Sequence, residues 1–298
     1  MANEATISPE FSEAPPRVSE FRRMSRVFLG RPVVVFGLVV ILATIIVAIF
    51  APFIAPYDPY KQSLNDALLQ PSWQHPLGTD ALGRDTLSRL IYGARTSLIV
   101  GLSAISIAAA VGMTLGMIAG YFGGLAHLLI MRVIDALMAF PGILLALVIG
   151  ALLGGGLTNI VIALSVGLMS TYARLMCGQV LTVKEYDYIL AEKSIGAGSM
   201  RIMFSHVFPN CMPPLIVMVT MQLGAAILAE AGLSYLGIGI KPPGAAWGAM
   251  VNAGYKYLMT LPVLSFSPGI AIMLVVFAFN MVGDGLRDAL DPRLRGIL

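Results

Sequence analysis

The side chains able to do chemistry fall into four groups. Asp80, Arg84, Asp85 and Arg89 place two carboxylates and two guanidiniums within a few residues, before a long apolar run. Asp80 and Asp85 can each pair with Arg84 or Arg89, which makes the segment either a compact structural cap or a surface that touches substrate. Arg132 and Asp135 stand three apart and share a helix face, so they can pair. Charges inside a span usually face the bundle interior or an interface, which leaves inner-end packing and a gating role both open. Glu230 is a lone carboxylate near the end of another apolar run. It can face a solute path and attract a cationic group, or pair with a loop lysine or backbone amides. The fourth group is the polar stretch Lys184 to Pro209, which carries Lys184, Glu185, Asp187, Glu192, Lys193 and Arg201. This is the chemistry of ion pairing and docking, not of bond making. The sequence has no G-x-x-x-x-G-K-[ST] phosphate loop and none of the motifs S-x-x-K, G-x-S-x-G or H-E-x-x-H. His75, His127 and His206 are scattered, and Cys177 and Cys211 form no redox or ligand pair, so no metal site and no catalytic residue is expected.

Composition identifies the elements that must position these groups. Of 298 residues, 57% are hydrophobic and 12% charged, and the mean hydropathy is +0.84. Soluble domains carry roughly 25% charged residues, so this is a membrane protein. A span needs about 20 apolar residues, and unpaired backbone groups in lipid restrict the choice to helices or a closed barrel. Long apolar runs without alternation favour helices. The net charge of +3 is small and its basic residues cluster near span ends. That pattern sets topology and gives no reason to expect nucleic-acid binding.

Residues 1–30 read as a cytoplasmic tail, largely disordered, with Pro9, Pro15 and Pro16 and no apolar periodicity. Arg17, Arg22, Arg23, Arg26 and Arg31 precede the first apolar run and place this end in the cytoplasm. A cationic targeting peptide is the rival, but Glu4, Glu10, Glu13 and Glu20 argue against one, and no cleavage site is evident. Residues 31–298 read as one transmembrane domain. Spans are expected over about 33–50, 97–119, 128–152, 159–177, 211–231 and 268–281. A short amphipathic helix from Thr86 should lead into the second, and Pro141 should kink the third. Gly112 and Gly116, spaced small-xxx-small, should let the second span pack closely. A hydrophilic connection at about 57–95 forms an outer cap, and the Gly- and Pro-rich segment 233–250 should be an irregular, partly inserted outer loop. No long internal repeat is evident.

The polar stretch needs a turn. Apolar residues from Ile189 to Phe208 recur in a broken pattern, interrupted by Gly196-Ala197-Gly198. A helix over about 186–195, a small-residue turn and a second helix from Ser199 satisfy it. Small residues at such a turn let another protein approach the backbone closely. The stretch therefore reads as a docking element or, on composition alone, as an ordinary solvated loop.

The same stretch is similar to the cytoplasmic loop of binding-protein-dependent ABC importer permeases. Their pattern is Glu-Ala-Ala, then Gly, then an aliphatic residue and Pro. Ala191 matches the middle alanine and Gly196 the glycine, followed by Ala197, and Phe208-Pro209 closes the pattern. Leu190 and Glu192 stand where Glu and Ala are usual. The segment Leu77 to Leu98 closely resembles the dipeptide, oligopeptide and nickel branch (DppC/OppC-like). It does so through Leu77-Gly78-Thr79-Asp80, Gly83-Arg84-Asp85, Ser88-Arg89 and Gly93-Ala94-Arg95. Met131-Arg132, Asp135, Ala139-Phe140-Pro141, Pro242-Pro243, Trp247-Gly248 and the ending GDGLRDALDPRLRG extend the resemblance along most of the chain.

The resemblance implies a six-helix, all-α permease of the type I importer fold, with a coupling loop built on Tyr188, Ala191, Glu192, Gly196, Ala197, Gly198 and Pro209. It implies a bacterial inner-membrane location with both termini cytoplasmic. The implied partners are a second, homologous permease, two ATP-binding subunits and a periplasmic or lipid-anchored binding protein. ATP and Mg would sit on the partner subunits, with no cofactor on this chain. Di- and oligopeptides are the expected substrates, with nickel chelates, glutathione and small glycosides as alternatives. Two other classes compete. An ion-driven carrier should keep buried carboxylates or broken helices near mid-membrane. A membrane enzyme should cluster polar groups at one depth. The span centres have almost no charge and the largest polar block is a cytoplasmic loop, which argues against the carrier. No clustered polar catalytic groups are visible.

Overall fold

The computed structural model describes residue 25 and residues 27–290, and it contains no strand among them. The N-terminal arginines other than Arg31, and the residues after 290, lie outside these, as does the expected disorder of the first twenty residues. Five helices are long and apolar enough to cross a membrane, and a bent pair brings the number to six.

Helix α1 is Pro32–Ile49, with Pro32 at its first turn, where a missing N–H costs nothing. Only 17% of its apolar window is buried. Its outer side presents Phe36, Val39, Leu42 and Ile46, as a lipid-facing helix should. A short helix α2, Ala51–Ile54, follows. Helix α3, Thr86–Phe122, runs unbroken for 37 residues. At 1.5 Å per residue it is about 55 Å long, well beyond a hydrocarbon core of about 30 Å. The short helix expected from Thr86 and the second span are thus one rod, whose first turns stand in the cap.

Helix α6, Leu157–Val183, packs along α3 with almost no side chain between the backbones. A Cβ on Gly112 would lie 2.5 Å from the Met169 carbonyl oxygen, and one on Gly116 would collide with that of Ala173. The small-xxx-small pair is therefore the contact line of the longest interface in the bundle.

The third span is broken rather than kinked. Helices α4, Gly124–Met138, and α5, Gly142–Leu153, meet at 88°. Pro141 lacks an N–H and disfavours helical geometry at Phe140. Beyond it, the Gly142 and Gly167 backbones touch: a Cβ on Gly167 would lie 2.9 Å from the Gly142 carbonyl oxygen. That contact holds α5 against α6 beyond the break.

Helix α7, Asp187–Ser194, precedes α8, which runs from Ser199 to Tyr235. The fifth span does not begin near Cys211, after Pro209, as expected. Instead the helix passes straight through Pro209, Pro213 and Pro214. The five residues Met203–Val207 form a π turn just before the first of these prolines, and such a turn re-registers the carbonyls around missing donors. The Gly- and Pro-rich segment is irregular over 236–246, but Trp247–Tyr255 is a regular helix, α9. Helix α10 is Val263–Leu290 and contains Pro268. Arg31 pairs with Asp288, tying the start of α1 to the end of α10.

Candidate functional site

The loop end of the bundle is built on one apolar cluster. Tyr172, Met176, Val180 and Val183 of α6 contribute to it, with Ile189 of α7 and Ile202, Met203 and Val207 of α8. Ile189 and Val207 are fully buried. The polar stretch is thus anchored from beneath, unlike a solvated loop. Lys184 donates to the Gly120 carbonyl at the end of α3, 3.3 Å away, where a cation satisfies orphan carbonyls.

Gly196 makes the turn. Its φ is +82°, the left-handed region that glycine adopts without strain. Its N–H donates to the Lys193 carbonyl and the Ala197 N–H to the Glu192 carbonyl, both at 3.0 Å. These two bonds form a Schellman motif, which closes a helix end and redirects the chain. Ala197 then packs on the buried cluster, and Gly198 caps the next helix in extended geometry.

The exposed surface of this α7–turn–α8 unit carries four large apolar side chains among the charged Asp187, Lys193 and Arg201. Leu190, Ile195, Met200 and Phe204 are all exposed, Ile195 to 78%. Tyr188 is exposed with its ring 5.8 Å from that of Tyr186, and Ala191 is exposed beside it. Exposed apolar side chains grouped in this way are a feature of protein or membrane contact surfaces. Pro209 is exposed but lies within α8, so it does not end the element as expected. Glu192 places Oε1 3.5 Å from His206 Nε2, a link between the two helices that sequence spacing does not reveal.

At the other end, Asp80 organises the cap. Its Oδ1 accepts the N–H groups of Leu82 and Arg84, and its Oδ2 accepts from Arg84 Nε at 2.7 Å. Arg89 Nε is 3.6 Å away, while its terminal nitrogens donate to the carbonyls of Pro59, Pro243 and Gly244. Gly83, buried at φ +69°, turns the segment between Asp80 and Arg84. Asp85 pairs with neither arginine. It caps α3, accepting from the Ser88 N–H at 2.7 Å, and it takes His75 Nδ1 at 2.8 Å. A carboxylate at a helix start satisfies orphan N–H groups and suits the helix dipole. Asp85→Ala removes the cap and strands His75. We expect a loss of about 1–2 kcal/mol, read as a lower unfolding temperature of the purified chain, whereas Asp58→Ala on the exposed part of the cap should change it little.

The remaining candidates are placed differently from expectation. Asp135 does not pair with Arg132. It pairs across to Arg174 of α6, with both side chains 50% exposed, and Arg132 is exposed and absent from any ion pair among the described residues. Facing helices bring Asp135 and Arg174 together although they are 39 residues apart. Glu230 meets neither a lysine nor a backbone amide among the described residues. It is fully buried, accepting from Ser234 Oγ at 2.7 Å and Ser97 Oγ at 3.2 Å. Ser234, four residues on, is legible as a neighbour on the same helix face; Ser97, on α3, is not. Among the described residues, no group of His, Cys, Asp or Glu could hold a metal ion.

Residues 112–296 match the model of the family described as "Binding-protein-dependent transport system inner membrane component". This span includes the Gly196 turn and every helix from the middle of α3 onward. The chain belongs to that family. Residues 19–71 also match the N-terminal transmembrane domain of oligopeptide transport permease C. The di/tripeptide transport system permease protein DppC of Pseudomonas aeruginosa is 46% identical over 265 residues, covering 87% of this chain and 88% of that protein. The dipeptide transport system permease protein DppC of Alkalihalophilus pseudofirmus is 40% identical, with 97% of each chain covered. The glutathione transport system permease protein GsiD of Pectobacterium atrosepticum is 41% identical, with 92% of each covered. A solved chain of the MetNI methionine ABC transporter, inward facing, shares the fold with a TM-score of 0.52 at 18% identity, covering 68% of this chain and 96% of that one. This permease is therefore a multi-pass inner-membrane subunit of the type I ABC importer fold. Membership implies ATPase and substrate-binding partners.

Proposed function

We propose that this permease forms half of the translocation pathway of an ATP-driven importer of di- and oligopeptides, paired with a second, homologous permease. Two ATP-binding subunits, which carry the ATP and Mg, dock on the exposed face of Leu190, Ile195, Met200 and Phe204. A periplasmic or lipid-anchored binding protein delivers substrate to the cap end. Both termini and the Gly196 turn then lie in the cytoplasm, in keeping with Arg31 and Lys184 at that end. The observation that carries the reading is the docking unit itself: exposed Leu190, Ile195, Met200 and Phe204 held on a buried cluster that continues into α3, α6 and α8. Closure of the ATPases moves such a unit as one body, and the spans rock between inward-open and outward-open states.

The broken third span supports a pathway on one face of the bundle. Around Pro141 the carbonyls of Ala139 and Phe140 and the N–H groups of Gly142 and Ile143 find no backbone partner among the described residues. In hydrocarbon each unpaired group costs several kcal/mol, so broken backbone is tolerated only against protein or water. The half-exposed Asp135–Arg174 pair and Arg132 flank the same break, and charges at that depth obey the same rule. This face therefore turns toward the second permease and the solute, not toward lipid. Arg132 and Asp135 belong to that lining; Glu230, sealed between α3 and α8, does not.

The test is purification and reconstitution. The chain expressed with its operon partners should co-purify with ATPase subunits and, given the binding protein, drive ATP-dependent uptake of labelled dialanine. A chain that purifies alone and transports down an ion gradient contradicts the proposal. The similarity to glutathione permeases favours one second reading, a tripeptide-sized γ-linked substrate, and competition by glutathione in the same assay separates the two.

A further inference from the structure

A cavity of about 480 Å³ opens at the cap end, between the cap, the irregular segment after α8, and helix α9. Small-molecule sites occupy roughly 300–1,000 Å³, so this one suits a ligand of one or two residues. Its charges are unbalanced. Among the described residues, Asp80 is the only acid lining it, against Arg84, Arg89, Lys241 and Lys256. Asp80 is already saturated by Arg84 and by two N–H groups, with Arg89 close by. Arg89 is spent on three carbonyls. Lys241 and Lys256 are exposed, and neither is in an ion pair among the described residues. The same wall includes the apolar side chains of Met250 and Leu264. An anionic group at the lysines, with an apolar side chain lying on that wall, satisfies both halves of the cavity.

We infer that this cavity is a subsite for the free carboxylate end of a short peptide, held by Lys241 and Lys256 before the peptide enters the pathway. The inference rests on the peptide reading above. It is separate from the pathway face, where Arg132 and the Asp135–Arg174 pair stand beside the broken third span. A peptide released at the cap end would be retained by its carboxylate while its amino end stays free.

The experiment uses the whole importer in nanodiscs of phosphatidylcholine, without binding protein. The probe is glycyl-photoleucine, as the free acid and as the C-terminal amide, with labelled residues mapped by mass spectrometry. The acid should label the cavity wall at least about tenfold more than the amide, a factor equivalent to about 1.4 kcal/mol. Lys241→Gln with Lys256→Gln should remove that preference, while Lys61→Gln, elsewhere on the cap, should keep it. Equal labelling by acid and amide, or a preference that survives the double substitution, overturns the subsite. So does its loss when phosphatidylglycerol is added to the nanodisc, since the cavity would then belong to a lipid headgroup. Dialanine uptake by the same importer with its binding protein is measured alongside. Uptake without acid-dependent labelling sinks the subsite alone, and absence of uptake sinks the peptide reading instead.

Discussion

Gly196→Arg should insert, pair with the second permease and yet lose coupled uptake. Gly196 holds a φ of +82°, and a residue with a Cβ pays about 1–2 kcal/mol to stay in that region. Nothing lies within 4 Å of the position its Cβ would take, so the new side chain finds room but points away from the chain. It projects beside Ile195 and Met200, onto the face assigned to the ATPases. A flexible cation there is driven into an apolar contact, and an unpaired charge in a closed interface costs far more than backbone strain. The expected result is uptake reduced at least about a hundredfold, equivalent to about 2.7 kcal/mol or more, with ATPase subunits lost or turning over idly. Two companions separate the causes. Gly196→Ala carries only the strain and should keep most of the uptake. Glu192→Ala removes the contact with His206, a partly exposed pair worth about 0.2–1 kcal/mol, and should behave almost as wild type. ATP hydrolysis and uptake measured together in proteoliposomes decide it: normal uptake by Gly196→Arg removes the docking role from this turn.

Gly116→Leu should fail earlier, at folding. The Cβ alone would collide with the Ala173 carbonyl oxygen and approach the Met176 Cβ to 2.9 Å. Both neighbours belong to α6, and one is backbone, which cannot rotate away. The rest of the leucine side chain would push α3 off α6 along the line that Gly112 and Gly116 define. Overpacking a tight core typically costs about 1–3 kcal/mol and occasionally more. Here the cost falls on an interface whose cohesion is van der Waals contact, because lipid offers no hydrophobic drive between helices. We expect the monodisperse fraction in detergent, read by fluorescence-detected size exclusion, to collapse. Gly178→Ala, on the same helix pair but with nothing within 4 Å of its Cβ, should be neutral or slightly stabilising, since Ala is the better helix former by about 1 kcal/mol. Equal behaviour of the two variants would show that the glycine line does not set the packing.

Properties carried by one segment at a time are legible in the residues alone. The hydropathy of 33–50 fixes a span because an apolar helix has nowhere else to put its surface. Gly196-Ala197-Gly198 marks a turn because Gly196 holds a φ of +82°, which glycine adopts without strain. The turn at Gly196 and the Gly112–Gly116 line follow from local sterics, and both lie where the sequence puts them. Asp80 is legible as a partner of Arg84 because the two sit four residues apart. What depends on a second element is not legible in this way. Spacing binds Asp135 to Arg132, three residues away, but a facing helix supplies Arg174 instead. By its type alone Pro141 promises a kink, and Pro209 a stop. A proline only removes a donor and restricts its predecessor; neighbouring packing decides whether the helix breaks, as beside Gly167, or continues, as after the π turn. Glu230 reads along the chain as a surface or pathway charge because Ser97, 133 residues away, gives no local sign of its approach. Local sterics and hydropathy are properties of the sequence, while the partner of a charge and the fate of a bend belong to the packed bundle.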